Sequence, residues 1–364
     1  MRLLLDTHAF LWFFTDDPLL SAAAKALIAD PTNEILVSPA SYWEVAIKVR
    51  LGKYPMSVPF DEFWTEGIDG NGFVILPFYT EDEIKELEAL YHHLHPQDEK
   101  GFFPSTFSKD KNYRHEADSE IKRIGNRSIE KYCQDIKVVC GSFIVKSPGP
   151  ESGMCVHQDM SLIDESRFTG INIWVPLVDL TIENGALFVL PGSHRIFPTY
   201  RGSSIPEFFA PVMDNMIDYL QPVLIKAGEA VFFDQSIIHF SPPNYSDKIR
   251  IVTNTYFTHN NTEYRTYYWN KEEHGNAVEA FAQDDDFMTN FEQFGDNIRD
   301  RPKVGKSLGL VDYNFPTIDK AFLDNSFQRT NARQLIENAK PKLELPKPIA
   351  QKSFFERVKS LLAS

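Results

Sequence analysis

KVVCGSFIVK (137–146), GINIWVPLVD (170–179), ALFVLPG (186–192), EAVFF (229–233) and IRIVTNTYF (249–257) are five short apolar runs that follow one another through the middle of the chain. Each is rich in β-branched and aromatic residues, which fit half-buried pleated surfaces. Gly, Pro, Asn and Asp stand between them and supply turns. Many short strands with such punctuation predict a sandwich or barrel, so a mainly β domain is expected.

Upstream of these runs the texture differs. Residues 71–79, NGFVILPFY, read as a strand leading to a helix at about 81–94. Thr80 and Glu83 form a capping box there, with Ile84, Leu87, Tyr91 and Leu94 on one face. A second helix is expected over Glu116–Tyr132. The first seventy-odd residues alternate: a strand at Arg2–Leu5 ending in Asp6, a helix over Pro18–Ala29 with Ser21 as N-cap, a strand at Glu34–Ser38, and a helix at Ser41–Leu51 stopped by Gly52. That order predicts a small α/β segment with a parallel sheet. After residue 290 the chain is charged and Pro-containing, reads as a C-terminal extension (291–364), and ends in a short amphipathic segment, Ser353–Leu362.

Composition narrows the function. A length of 364 residues implies one large domain plus an appendage, or two domains. The net charge of −14 repels phosphate backbones and anionic membrane surfaces, so general nucleic-acid binding is disfavoured. Cys133, Cys140 and Cys155 are too few and too scattered for a disulfide framework or a zinc site, which points to a reducing, cytoplasmic compartment. In MRLLLDTHAFLWFF, Asp6 and His8 interrupt the apolar run and no small-residue cleavage site follows, so no signal peptide is expected. No 18-residue apolar stretch suggests a membrane span.

Chemistry concentrates in VHQD (156–159) and QSIIHFSPPN (235–244). On a strand, His157 and Asp159 share a face, so an imidazole and a carboxylate can converge on one metal. His239 offers a third ligand. Two His and one carboxylate form the facial triad of non-haem iron(II) oxygenases, which leaves adjacent positions open. Arg250 follows in a strand whose alternating positions include Val252 and Asn254. An Arg pointing into a small β domain is costly without an anion, and a dicarboxylate co-substrate would supply one. Ser241 shares the face of His239 and can donate to the same carboxylate. Lys146 ends an apolar strand and is a second candidate cation, although a strand-end Lys also snorkels to solvent. His194, in PGSHR, reads as a structural turn residue. The loop Ser161–Phe168 can touch substrate or be a solvated charged loop.

The runs NGFVILPFYTEDEI, FIVKSPG, VHQD, NIWVPLVD, ENGALFVLPGSHR, KAGEAVFFD, HFSPPN and IRIVT resemble, in order and spacing, the phytanoyl-CoA dioxygenase family over about 220 residues. The resemblance implies a double-stranded β-helix (jelly-roll, cupin-like) core over residues 71–290. It implies His157, Asp159 and His239 as iron(II) ligands, and Arg250 with Ser241 gripping the distal carboxylate of 2-oxoglutarate. Lys146 and Trp174 fall where the family has pocket residues near the co-substrate; Trp174, in an apolar strand, also suits the core. The implied reaction uses O2, releases succinate and CO2, and hydroxylates a small-molecule or acyl-conjugate substrate. Halogenating relatives replace the carboxylate with Gly or Ala; Asp159 therefore points to hydroxylation. No oligomeric state is legible.

MRLLLDTHAFLWFF and VSPASYWEVAIKVRLGKY resemble the first half of PIN-domain toxins, Mg²⁺-dependent ribonucleases of type II toxin–antitoxin systems. Asp6 and Glu44 match the first two acids of their metal site. The segment that should supply another acid has no counterpart, and Asp98 is a superficial candidate only. Residues 1–70 are therefore expected to be a truncated PIN-like fragment, with the join near NGFVILPF. The rival readings are a PIN-type ribonuclease carrying a non-catalytic β domain, and a jelly-roll that only binds ligand.

Overall fold

The β-rich runs form strands in the computed structural model, which describes residues 2–5, 9, 19–29, 34–37, 70–94, 100–133, 135–197, 199–290 and 299–340. The chain divides into two compact units, Met1–Gly70 and Asn71–Ser364. In the first, β1 (Arg2–Leu5) pairs with β2 (Glu34–Val37) in parallel, with Arg2 opposite Glu34. Helix α1 (Ala22–Ala29) starts later than Pro18, because the Ser21 hydroxyl accepts from the Ala24 N–H at 3.2 Å and fixes the first turn. The helix expected at Ser41–Leu51 lies outside the described residues, as does Ser353–Leu362.

The second unit begins with β3 (Phe73–Pro77) and α2 (Glu81–Leu94). The capping box is reciprocal: Glu83 accepts from the Thr80 N–H at 2.9 Å, and the Thr80 hydroxyl accepts from the Glu83 N–H at 3.3 Å. Next come β4 (Phe102–Pro104) and α3 (Lys111–Ile129). Helix α3 starts ahead of the expected Glu116. The Asp110 carboxylate accepts from the Asn112 and Tyr113 N–H groups, a cap hidden in a polar run.

Strands β5 (Ile136–Lys146), β6 (Met154–His157), β7 (Ile171–Pro176), β8 (Leu187–Val189), β9 (Gln221–Val223), β10 (Glu229–Asp234), β11 (His239–Ser241) and β12 (Arg250–His259) follow. They build a six-stranded sheet in the order β3-β10-β7-β12-β5-β4 and a four-stranded sheet in the order β6-β11-β8-β9. All neighbours are antiparallel. From β5 to β12 the chain crosses repeatedly between the two sheets. Trp174, Val231 and Val252 from one sheet pack with Leu187, Val189 and Val223 from the other. This is the expected double-stranded β-helix.

Helices cover the outer face of the larger sheet. Phe143 of β5 meets Tyr91 of α2 edge to face at 5.4 Å, and Gly141 lies so close to α3 that a Cβ would come within 2.9 Å of Ile121. Leu87, Ile121 and Ile124 are fully buried. Each such side chain contributes about 1.5–3 kcal/mol, against about 1 kcal/mol for a cap, so packing holds these helices more than their termini do.

The segment after residue 290 is not a detached extension in its described part. β13 (Tyr264–Tyr268), β14 (Ala277–Gln283) and β15 (Lys306–Asp312) form one antiparallel sheet across that boundary. Helices α4 (Lys320–Ser326) and α5 (Ala332–Ala339) send Leu323 and Ile336 into the same cluster as Phe188 of β8 and Phe240 of β11. Charged residues disguise these helices, because only one narrow face of each meets the core. Among the described residues no helix is long and apolar enough to cross a membrane.

Candidate metal centre

His157 ends β6 and His239 opens β11, and the two are direct cross-strand partners. Their ring centroids lie 4.1 Å apart. Asp159, two residues beyond the end of β6, brings Oδ1 to 3.7 Å from His157 Nε2 and 3.9 Å from His239 Nε2. One ligand atom from each residue lies within 4.8 Å of the other two. Such spacing fits three ligands around one ion at roughly 2.0–2.2 Å.

The tautomers suit a metal. His157 Nδ1 lies 2.8 Å from the Cys155 carbonyl and His239 Nδ1 lies 3.0 Å from the Ile237 carbonyl. A carbonyl only accepts, so each Nδ1 carries the hydrogen and each Nε2 presents its lone pair. Burial, then the neighbouring His239, holds His157 well below the ordinary imidazole range, so it is neutral. Burial raises the Asp159 carboxyl, opposed by His239, Arg201 and Asn172. A divalent cation would reinforce the first effect and reverse the second, since it favours a neutral imidazole and a charged carboxylate.

Residues that the sequence reading passed over hold Asp159 in place. Asn172 Nδ2 donates to Asp159 Oδ2 at 2.9 Å, leaving Oδ1 for the centre, and Asn254 Nδ2 donates to Asn172 Oδ1 at 3.1 Å. Asn172 and Asn254 were legible, because each alternates with an inward residue, Trp174 and Arg250. Arg201 Nε donates to the Asp159 backbone carbonyl at 2.7 Å, while its two other nitrogens form an ion pair with Glu165. Gln235 donates to Glu165 from the other side. Nothing in the run TYRGSS marks Arg201.

The centre opens on a cavity of about 150 Å³, which Arg250, Ser241 and Trp174 also line. Arg250 is 1% exposed; Nη1 donates to the Gly185 carbonyl at 2.6 Å, and the guanidinium lies 5.2 Å from the Trp174 ring. Among the described residues its Nε has no hydrogen-bond partner and no carboxylate pairs with it. Burial pushes the guanidinium down to about 9. A buried cation with an open donor fits a carboxylate ligand.

Lys146 does not snorkel: it is fully buried, opposite Arg250 in the β5–β12 pairing, and donates to the carbonyls of Ser241 at 2.9 Å and Pro242 at 2.5 Å. His194 sits in a 3₁₀ turn after Gly192, which has φ 77°. In the loop Ser161–Phe168, Leu162 lines the cavity, while Asp164 pairs with Arg265 at 2.9 Å and Glu165 with Arg201. The loop is pinned rather than merely solvated. Asp6, Glu44 and Asp98 all lie outside the described residues.

Comparison with known proteins bears on both parts of the chain. The family model described as Phytanoyl-CoA dioxygenase matches residues 68–252, which is 185 of the 364 residues, and the PIN domain model matches residues 3–99. The two matches overlap over residues 68–99, around the expected join. Phytanoyl-CoA dioxygenase domain-containing protein 1 of Bos taurus is 33% identical over 123 residues, 31% of this chain and 42% of that protein. Its homolog in Dictyostelium discoideum is 32% identical over 111 residues, 28% of this chain and 39% of that protein. The chain thus spans about two fifths of the length of these curated relatives. A solved non-heme alpha ketoglutarate dependent carbocyclase from nogalamycin biosynthesis is similar with TM-score 0.44 and 18% identity, over 55% of this chain and 84% of that one.

Proposed function

The chain belongs to the phytanoyl-CoA dioxygenase family, and from that premise we propose that it is an iron(II)- and 2-oxoglutarate-dependent dioxygenase that hydroxylates a small molecule. The observation that carries this is one cavity holding both a His157–Asp159–His239 triad and a buried, anion-seeking Arg250. In this reading residues 71–290 form the core of the oxygenase and residues 1–70 a truncated PIN-like segment.

His157 Nε2, His239 Nε2 and Asp159 Oδ1 would hold the iron. Arg250, with the Ser241 hydroxyl beside it and Trp174 against its guanidinium, would bind the distal carboxylate of 2-oxoglutarate. When bound, the iron and co-substrate supply the oxidation, converting O2 and 2-oxoglutarate to succinate, CO2 and a hydroxyl group for the substrate. The protein contributes position and dryness. Backbone carbonyls orient the two imidazoles, Asn172 and Arg201 fix Asp159, and apolar walls exclude water. Asp159 would occupy a ligand position that a halide would otherwise take, which favours hydroxylation over halogenation.

Anaerobic addition of iron(II) and then 2-oxoglutarate tests the assignment through the visible charge-transfer absorption of the chelate. Under O2, slow succinate release should follow. His157→Ala should abolish the absorption. Arg250→Ala should weaken 2-oxoglutarate binding by roughly 2–5 kcal/mol, the scale for losing one partner of a buried charge pair. Unchanged co-substrate affinity in Arg250→Ala would remove that residue from the site, and equal succinate release by wild type and His157→Ala would show oxidation by free iron.

A further inference from the structure

Of the three carboxamides that line the cavity beside the metal centre, Asn172, Gln235 and Asn254, the last two are oriented the same way. Gln235 Nε2 is occupied by Glu165, whose carboxylate accepts and is itself fixed by Arg201. Asn254 Nδ2 is occupied by Asn172 Oδ1, and the direction of that bond is set in turn by Asp159, which accepts from Asn172 Nδ2. In each amide one N–H of the nitrogen is therefore used, while the oxygen accepts nothing. Gln235 Oε1 and Asn254 Oδ1 are both buried, and neither has a hydrogen-bond partner among the described residues. Gln235 is 1% exposed and lines the same cavity as Asn254. Two buried acceptors without donors are unfavourable unless a ligand supplies the donors.

The rest of the lining limits that ligand further. Asp159 and Arg250 are the charged residues among those lining the cavity, and the proposed function uses both. Phe102, Pro104, Phe107, Met160, Leu162 and Met288 make an apolar wall. A charged group brought into the remaining space finds no counter-ion among the described residues. We propose that Gln235 and Asn254 form a substrate subsite that accepts hydrogen bonds from the hydroxyl or N–H group of an uncharged, largely apolar substrate. This inference rests on the oxygenase reading for its position beside the reacting centre, but the binding preference itself does not require iron.

Binding of phenol, toluene and benzylammonium to the full chain, measured by ligand-observed NMR without added metal, tests the subsite. Phenol and toluene match in shape, and phenol alone carries a donor. Phenol should bind on the order of tenfold more tightly than toluene, the scale of one or two net hydrogen bonds. Gln235→Leu should reduce that preference while leaving toluene binding in place. Benzylammonium should bind no more tightly than phenol. Equal binding of phenol and toluene by the wild type, or no binding of either, overturns the inference, and tighter binding of benzylammonium overturns the uncharged class. If Gln235→Leu does not fold, the wild-type comparison still decides. Binding of 2-oxoglutarate, followed in parallel, reports on the oxygenase reading separately: its failure alone leaves the donor preference standing.

Discussion

Glu207 illustrates how a single carboxyl responds to burial in this protein. It is half-buried, and burial pushes its carboxyl up to about 7 from an ordinary 4.5. The folded state therefore binds a proton more tightly than the unfolded chain does. Stability from this group is fully present below about pH 4.5 and is lost as pH rises through about 7. Glu207→Gln removes the charge and keeps the shape. It is expected to raise stability by roughly 1–3 kcal/mol at about pH 8 and to change little at about pH 4. Denaturant midpoints of both proteins across that range measure the effect, and a gain that is independent of pH would show that burial does not govern this carboxyl. The same physics acts at the metal centre, where burial makes His157 neutral, as a metal ligand must be, and raises Asp159, which a bound cation would return to its charged form.

Among the elements, the join between β5 and β11 matters most to the site. Lys146 at the end of β5 donates to the Ser241 and Pro242 carbonyls as the chain leaves β11, three residues after His239 begins that strand. Gly185 permits this approach. It has φ 81°, and a Cβ there would stand 2.8 Å from the Pro242 carbonyl and 3.2 Å from Lys146 Cδ. Lys146 thus acts as a positioning residue for Ser241 and His239 through the backbone. Lys146→Met keeps the stem but leaves buried carbonyls without their donor, at a cost of about 1–3 kcal/mol. The expected outcome is a lower unfolding midpoint together with weaker 2-oxoglutarate binding. Unaltered binding at reduced stability would confine Lys146 to a purely structural part.

At the scale of the whole molecule, two unrelated family likenesses share one chain, and they divide it unequally. The PIN domain match reaches residue 99, yet the compact unit that contains β1, α1 and β2 ends at Gly70. Strand β3 and helix α2, beyond that point, belong to the jelly-roll unit: β3 pairs with β10, and Tyr91 of α2 packs on Phe143. The sequence that a full PIN fold would continue through is thus engaged elsewhere. Two acidic residues, Asp6 and Glu44, are a poor two-metal site. The full chain is expected to show no Mg²⁺-dependent cleavage of RNA. Cleavage by the wild type that disappears in Asp6→Asn would make the chain bifunctional.

Local chemistry made much of this readable beforehand. The alternation in β5, β7 and β12 and the caps at Ser21 and Thr80 follow from residue types a few positions apart, because strand and helix periods are local properties; Asp159 meets His157 although it lies just beyond the end of β6. The order and spacing of the longer motifs singled out His239 and Arg250 as well. What the chain order hides is pairing at long range. His157 meets His239 because β6 and β11 are antiparallel neighbours, Arg201 reaches the Asp159 carbonyl from a loop without a motif, and Lys146 donates to two backbone carbonyls beyond His239. The segment after residue 290 joins the core through single faces of α4 and α5 whose apolar content is too sparse to stand out. These contacts depend on which surfaces the finished packing brings together, and a buried polar group takes whichever partner that packing offers.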